Sequence, residues 1–298
     1  MAGRPDRTLC AGRYVLGDVI GSGATSTVVR ARRVPPGDLV AAKLLTPALT
    51  ADSEATARFF DGCRRLAELD HPGILSLYDF GRDADVVFAI LAFAEHGSLR
   101  DCHRMLTAHE AAALVQQLAS ALHYLHQRGL VHADVKPANV LLDGANRPLL
   151  ADFGIMRAAD PGDQPLAPQR RRGTPSYMAP EQCLGQRVDA RTDQYALAIV
   201  AFELLTGRRP IAGGSVAEVM ERQVRAAPLR PRLANPALSA ETEAVLVRAL
   251  AKAPSERYPS VRAFAAALRE SVKHSDPAVR RPPLATPEVD EPTLPMIS

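Results

Sequence analysis

Asp134, Lys136 and Asn139 stand two and three positions apart in the run LVHADVKPANVLL, residues 130–142. A carboxylate in such a run can accept the hydrogen bond of an attacking hydroxyl. An ammonium beside it can neutralise charge on a phosphoryl group as it moves. The amide oxygen of Asn139 is a hard ligand suited to magnesium. Downstream, Asp152 in Asp152-Phe153-Gly154 supplies a second oxygen ligand. An isolated aspartate in a loop is more often a turn residue, but the spacing to Lys136 and Asn139 argues against that reading. One acid, one cation and two metal ligands (Asn139, Asp152) are the parts that phosphoryl transfer needs.

Two upstream features extend the set. Gly21, Ser22 and Gly23 open the turn Gly21-Ser22-Gly23-Ala24-Thr25-Ser26 between two strand-like runs. A glycine turn alone is usually a hairpin loop. Followed by Val28 and then by Lys43 in VAAK, it reads as a phosphate cradle, because glycine lets backbone N–H groups approach an anion closely. Lys43 itself is either a strand-end lysine with its head in water or a contact to nucleotide phosphates, and the flanking pattern favours the second.

The elements that must position these residues can be read from periodicity. Strand-like runs cover YVLGDVI (14–20), TVVRARRV (27–34) and LVAAKLL (39–45), separated by Gly- and Pro-bearing turns. A helix is expected over 53–69, with Phe59, Cys63 and Leu66 at helical spacing. ILSLYDF (74–80) and VVFAILAF (86–93) read as strands, and their end near Phe93 marks a boundary. Beyond it the chain is helical. Thr107 with Glu110 predicts a capping box before a stripe of Ala111, Leu114, Val115, Leu118, Leu122 and Leu125. Residues 189–206 predict a helix apolar on most faces, and therefore central. Ser215 with Glu218 predicts another capped helix, and 239–251 and 260–272 complete the set. Residues 1–11 are polar and expected to be loose, and 274–298 form a Pro-rich tail.

These motifs, followed in order by GTPSYMAPE at 173–181, resemble those of the bacterial eukaryotic-like (Hanks-type) serine/threonine protein kinases. The resemblance runs from about Tyr14 to about Val272. It implies an α+β, two-lobed protein-kinase fold, with a small β-rich N-lobe at 12–93 and a larger helical C-lobe at 94–273. It implies transfer of the γ-phosphoryl group of ATP to serine or threonine of a protein substrate, with magnesium as the ion and manganese as an alternative. By the same resemblance Gly21, Ser22 and Gly23 cover the phosphates, and Lys43 contacts the α and β phosphates. Val28, Ala41 and Leu141 clasp the adenine, and Leu91 guards the back of its pocket. Ala92 to Ala94 form the hinge offering backbone hydrogen bonds, and Asp101 touches the ribose. Thr174 meets Asp134 and Lys136, Glu181 pairs with Arg257, and Asp193 holds the backbone near Asp134. Leu66, Leu77, His132 and Phe153 form an apolar column between the lobes.

The chain departs from the pattern in places. The third loop glycine is Ser26, and Thr25 replaces the bulky residue at the loop tip. Counting back from His71-Pro72, the glutamate that should hold Lys43 falls on Gly62. Lys43 then leans on Asp152, or on Asp61 if the helix rotates, and is expected to be less critical than where a glutamate fixes it. Ala133 replaces the arginine that receives an activating phosphate, and 155–172 contain no serine, threonine or tyrosine. Both changes imply a non-RD kinase whose activation loop is not phosphorylated. Arg170, Arg171 and Arg172 read as a solvated cationic loop or as a site for an acidic regulatory partner. Two rival readings stay open: a pseudokinase that signals by shape, favoured by Gly62, and a small-molecule phosphotransferase, disfavoured by Lys136 and GTPSYMAPE.

Composition sets bounds. A net charge of +3 over 298 residues gives no reason to expect nucleic acid. The cysteines Cys10, Cys63, Cys102 and Cys183 are far apart, which fits a reducing compartment and argues against a metal or disulfide framework. The start MAGRPDRTLC has no apolar signal region, and the most apolar helix contains Glu203. A cytoplasmic location without a membrane span is the expectation.

Overall fold

The computed structural model describes residues 8–102, 106–152, 157–158 and 174–274. The expectations placed on Phe153, Gly154, Arg170 to Arg172 and the tail from 275 onward lie outside the described residues.

The first half is a six-stranded antiparallel sheet in the order β1-β2-β3-β4-β6-β5. Its strands are β1 (Thr8–Leu9), β2 (Tyr14–Ser22), β3 (Ser26–Arg33), β4 (Leu39–Leu45), β5 (Leu77–Asp83) and β6 (Val86–Ala92). Side chains alternate between faces, and residues directly opposite across antiparallel strands share a face. One face buries Leu9, Tyr14, Val29, Ala31, Val40, Ala42, Leu44, Phe88 and Ile90 as a single cluster. The pairings Gly21↔Val28, Val28↔Lys43, Ala41↔Leu91 and Lys43↔Ala89 therefore place Gly21, Val28, Ala41, Lys43 and Leu91 together on the other face.

Two expectations for this half need correction. The N-terminus is not loose through residue 11, because Thr8 and Leu9 pair with Val15 and Tyr14. Leu9 is buried, and Asp83 accepts from the Cys10 N–H at 2.6 Å, which ties the segment to the end of β5. The fifth strand begins at Leu77 rather than Ile74. Ile74 and Leu75 instead reach β9 (Pro148–Leu150), where the Leu75 N–H donates to Leu150 O at 2.9 Å. Between β4 and β5 lie a short helix, α1 (Pro47–Ala51), and α2 (Ser53–Ala67). Asp52 caps α2 by accepting from the N–H groups of Glu54 and Ala55. Thr46 followed by proline was an available signal for α1.

The second half is helical. The Thr107–Glu110 capping box opens α3 (Ala108–His126), and its expected stripe is buried. Strands β7 (Leu130–Val131) and β8 (Val140–Leu142) follow, with β8 paired to β9 and β7 to β10 (Arg157–Ala158). After α4 (Pro180–Cys183) comes α5 (Ala190–Thr206), buried along almost its whole length as its all-round apolarity predicts. It ends at Gly207, whose φ of 73° suits glycine. Helix α6 (Val216–Arg225) carries the expected Ser215–Glu218 box. Then come α7 (Pro231–Ala234), α8 (Ala240–Ala249) and α9 (Val261–Ser271). Among the described residues no helix is long and apolar enough to cross a membrane.

Candidate active site

Asp193, at the start of α5, organises the loop that carries Asp134. Its carboxylate accepts from the backbone N–H groups of His132 (2.9 Å) and Ala133 (2.8 Å) and meets His126 Nε2 of α3 at 2.8 Å. Burial alone would raise its pKa, but His126 and these N–H donors hold it below the ordinary carboxylate value. The grip is needed because Ala133 has φ of 64°, a left-handed conformation that costs a non-glycine residue on the order of 1 kcal/mol or more. The Ala133 carbonyl is taken by Gln182 Nε2 at 2.9 Å. This strained turn leads directly into Asp134.

The Asp134 carboxylate is buried and held on both oxygens. Oδ2 accepts from Asn139 Nδ2 (2.8 Å) and pairs with Lys136 Nζ (2.8 Å). Oδ1 accepts from the Thr174 N–H at 3.2 Å and from its hydroxyl at 3.4 Å. Lys136 Nζ also donates to Thr174 Oγ1 at 2.6 Å. The spacing of Asp134, Lys136 and Asn139 thus reflects one contact network, closed through the 3-10 turn Pro137–Asn139. The expected contact of Thr174 with both residues is present.

Asn139 commits its nitrogen to Asp134 twice, to the carboxylate and to the carbonyl at 2.9 Å, which leaves its oxygen free of hydrogen bonds to described residues. The Ala151 N–H donates to Asn139 O at 2.8 Å, and the β8–β9 pairing continues from there, so Asn139 and Asp152 lie at the two ends of one short hairpin. Asp152 has φ of 62° and gives Oδ1 to Lys43 Nζ at 2.8 Å. Among the described residues nothing bonds to Asn139 Oδ1 or Asp152 Oδ2, two hard oxygens whose chemistry fits a divalent ion such as magnesium.

Lys43 has found its carboxylate in Asp152, as the position of Gly62 led one to expect. Its ammonium holds Asp152 down to about 2, against the upward push of burial. Burial pulls Lys43 itself downward, but the attraction of Asp152 outweighs it and the net shift is upward. Asp61 does not reach Lys43, because it pairs with Arg65 one turn along α2 on an exposed face. The α2 side chain that Lys43 senses is Cys63, whose thiol burial pushes up to about 11 while Lys43 draws it partly back.

The glycine turn passes a test of its purpose. A Cβ added at Gly21 would meet only Val28 Cβ at 3.9 Å, and one at Gly23 only the Ser26 carbonyl at 3.8 Å. Neither glycine has a positive φ, so the fold does not require glycine at either place. Close approach by a ligand would be a reason for glycine at both. Across the crevice, the Leu142 N–H donates to Gly97 O (2.8 Å) and the Leu99 N–H to Val140 O (2.7 Å), which leaves Leu141 half-buried between these anchors. In the hinge, Ala92 spends its N–H on Ser76 O at 2.9 Å, and the Ala94 carbonyl accepts from the Gly97 N–H at 3.3 Å. The Ala92 N–H is therefore already committed within the protein. Asp101 turns back on Ser98, whose hydroxyl donates to it at 2.5 Å.

Glu181 and Arg257 form the expected pair, doubly bonded at 2.8 Å and buried. Leu66 and Leu77 pack in the large core, with His132 fully buried and Nε2 3.1 Å from Ala151 O. Sequence reasoning missed Gln182, which takes the Ala133 carbonyl, and the line Lys252–Tyr195–Gln223, which ends on the carbonyls of Pro175 and Ser176. Nothing in their spacing marks them.

A family model, the protein kinase domain, matches residues 14–270. The chain is 36% identical over 254 residues to serine/threonine-protein kinase PknB of Mycobacterium tuberculosis, covering 83% of this chain and 41% of PknB. It is 35% identical over 257 residues to a probable serine/threonine-protein kinase, SCO3848, of Streptomyces coelicolor, covering 84% of this chain and 38% of the relative. It thus spans well under half the length of these relatives. The crystal structure of the Mycobacterium tuberculosis PknI kinase domain matches with a TM-score of 0.69 at 33% identity, covering 91% of this chain and 100% of that one. The two-lobed α+β fold implied by the motifs is the fold found, and the chain belongs to the protein kinase domain family, in its bacterial Hanks-type serine/threonine branch.

Proposed function

We propose that the chain transfers the γ-phosphoryl group of ATP to serine or threonine of protein substrates. The observation that carries this reading is the Asp134 carboxylate, held by Lys136, Asn139 and Thr174, with Asn139 and Asp152 at the two ends of the hairpin that follows it. Gly21, Ser22 and Gly23 with Lys43 would hold the phosphates. Val28, Ala41, Leu141 and the Ala94 N–H would hold the base, with Ala92 lining the hinge. Asn139 and Asp152 would hold magnesium, or manganese in its place. Bound nucleotide and ion supply the phosphoryl group and neutralise its charge.

The protein's own part is positional. The longest contact to Asp134 is the Thr174 hydroxyl at 3.4 Å, the donor most easily replaced by a substrate hydroxyl. Asp134 would then accept the hydrogen bond of that hydroxyl and orient its oxygen. Lys136, 2.6 Å from Thr174 Oγ1, would place positive charge where the phosphoryl oxygens pass.

The test is incubation of the chain with labelled ATP, magnesium and a generic basic protein. Label on serine or threonine is expected, and Asp134→Asn should lower the rate about 10²-fold, as for a misplaced acid–base group. Nucleotide binding by thermal shift without transfer would favour the pseudokinase reading. Label confined to small molecules would favour the phosphotransferase.

The non-RD reading makes a further expectation. A phosphate orders an activation loop through charge-assisted bonds to arginine. The sequence offers no hydroxyl between 155 and 172 and only Ala133 where the arginine would stand. Phosphatase treatment should therefore change activity by less than about threefold. A large loss, restored by preincubation with ATP, would direct attention to Thr174 or Ser176. An acidic partner at Arg170 to Arg172 is the alternative source of order.

A further inference from the structure

Beneath the 174–183 segment runs a line of buried polar groups that the transfer chemistry does not use. Gln223, on α6, is fully buried, and its Nε2 donates to the carbonyls of Ser176 (2.9 Å) and Pro175 (3.3 Å). Its Oε1 accepts from the Tyr195 hydroxyl at 2.8 Å. Tyr195, fully buried in α5, accepts in turn from Lys252 Nζ at 3.2 Å.

The direction of this line is fixed by chemistry. Backbone carbonyls only accept, so Gln223 must turn its nitrogen to them and its oxygen to Tyr195. The phenol proton is then committed to Gln223, which leaves a lone pair for Lys252. An ammonium, which can only donate, fits that last place.

The arrangement is an expensive way to fill space. Among the described residues no carboxylate forms an ion pair with Lys252. Burial and the neighbouring Arg257 guanidinium pull its ammonium down to about 8, with Cys183 offsetting part of the shift. Arg257 holds the loop in place by donating to the Lys252 carbonyl at 3.0 Å while pairing with Glu181 of α4. A buried polar line of this kind specifies one geometry when every member is satisfied, and an apolar core does not.

The geometry it specifies lies next to Asp134. Pro175 and Ser176 directly follow Thr174, which touches Asp134 and Lys136. We propose that Lys252, Tyr195 and Gln223 form a positioning relay that sets the 174–177 backbone against Asp134, and so governs use of the protein substrate without touching nucleotide. The proposal rests on the transfer reading above.

Tyr195→Phe tests it with little change of shape, since the ring that lies 4.8 Å from the Arg257 guanidinium is kept. Lys252→Met removes the donor, and Lys252→Arg restores one. With the basic protein as substrate, Tyr195→Phe and Lys252→Met should each raise its KM about five- to tenfold, the worth of one net hydrogen bond. The KM for ATP should stay within about twofold, and Lys252→Arg should recover most of the loss. Hydrogen exchange gives a second readout that needs no activity. The Tyr177 and Met178 N–H groups, bonded to Thr174 O (2.8 Å) and Pro175 O (3.2 Å), should exchange faster in Tyr195→Phe. Unchanged substrate KM, or a KM for ATP that rises in step with it, overturns the relay. If the wild type transfers no phosphate, the transfer reading fails on its own. Exchange then decides the relay, with faster exchange supporting it and unchanged exchange overturning it.

Discussion

Asp152→Asn is expected to lower phosphoryl transfer by on the order of 10³-fold, as when a preorganised charge at a reacting centre is lost, while leaving the fold intact. The backbone gives no reason for unfolding. Asp152 sits at φ of 62°, and asparagine is among the residues that tolerate this region best. The Lys43 ammonium, 2.8 Å away, keeps an oxygen acceptor in the amide. What disappears is the negative charge that the proposed metal site would offer a divalent ion, and a neutral amide would be a poor substitute there. Three measurements separate these effects: steady-state kinetics, melting temperature without nucleotide, and the magnesium dependence of nucleotide-induced thermal shift. Melting without nucleotide should hardly move, and the magnesium-dependent part of the shift should vanish. Activity within a few-fold of wild type would remove Asp152 from the metal site.

Local chemistry decided what could be read in advance. Asp134, Lys136 and Asn139 were legible because their mutual contacts close within one short loop, so spacing in sequence is spacing in space. The face carrying Gly21, Val28, Ala41 and Lys43 was legible because strand alternation and short hairpins fix its register. Where partners are remote the sequence is silent. Gln223 reads as an ordinary helix residue until the carbonyls of Pro175 and Ser176 are seen above it. Ile74 and Leu75 look like the start of a strand, yet they bond to β9 far along the chain, a tertiary pairing that overrides alternation. Thr8–Leu9 was missed because a single apolar residue gives no period. The helices α4 and α7 were missed because each has only four residues.

Lys43 shows how structure can reverse a consequence while keeping its premise. Gly62 leaves α2 without the carboxylate that the family pattern supplies, which suggested a loosely held and less critical lysine. The pair with Asp152 at 2.8 Å gives Lys43 a fixed position after all. Lys43→Met is therefore expected to cost about two to three decades in kcat/KM, comparable with losing one preorganised donor. Gly62→Glu in the wild-type background should change transfer by less than about threefold, because Lys43 already has a partner. A tenfold gain would show that Asp152 alone does not hold it.

Lys43→Met should also alter the pH dependence of stability, with a definite sign. Asp152 titrates near 2 in the folded protein, below its unfolded value. It therefore contributes stability that is present above the unfolded pKa of about 3.9 and is lost as pH falls through about 2. Without Lys43 the largest downward influence on Asp152 is gone and burial pushes its pKa upward. The variant's deficit should then be largest near neutral pH and shrink as pH is lowered from 6 to 3. Asp152 is 45% exposed, so solvent screening keeps the effect small. Urea denaturation of wild type and Lys43→Met at several pH values in that range is the measurement. A deficit that stays constant with pH would mean that Lys43 is not what keeps Asp152 ionised.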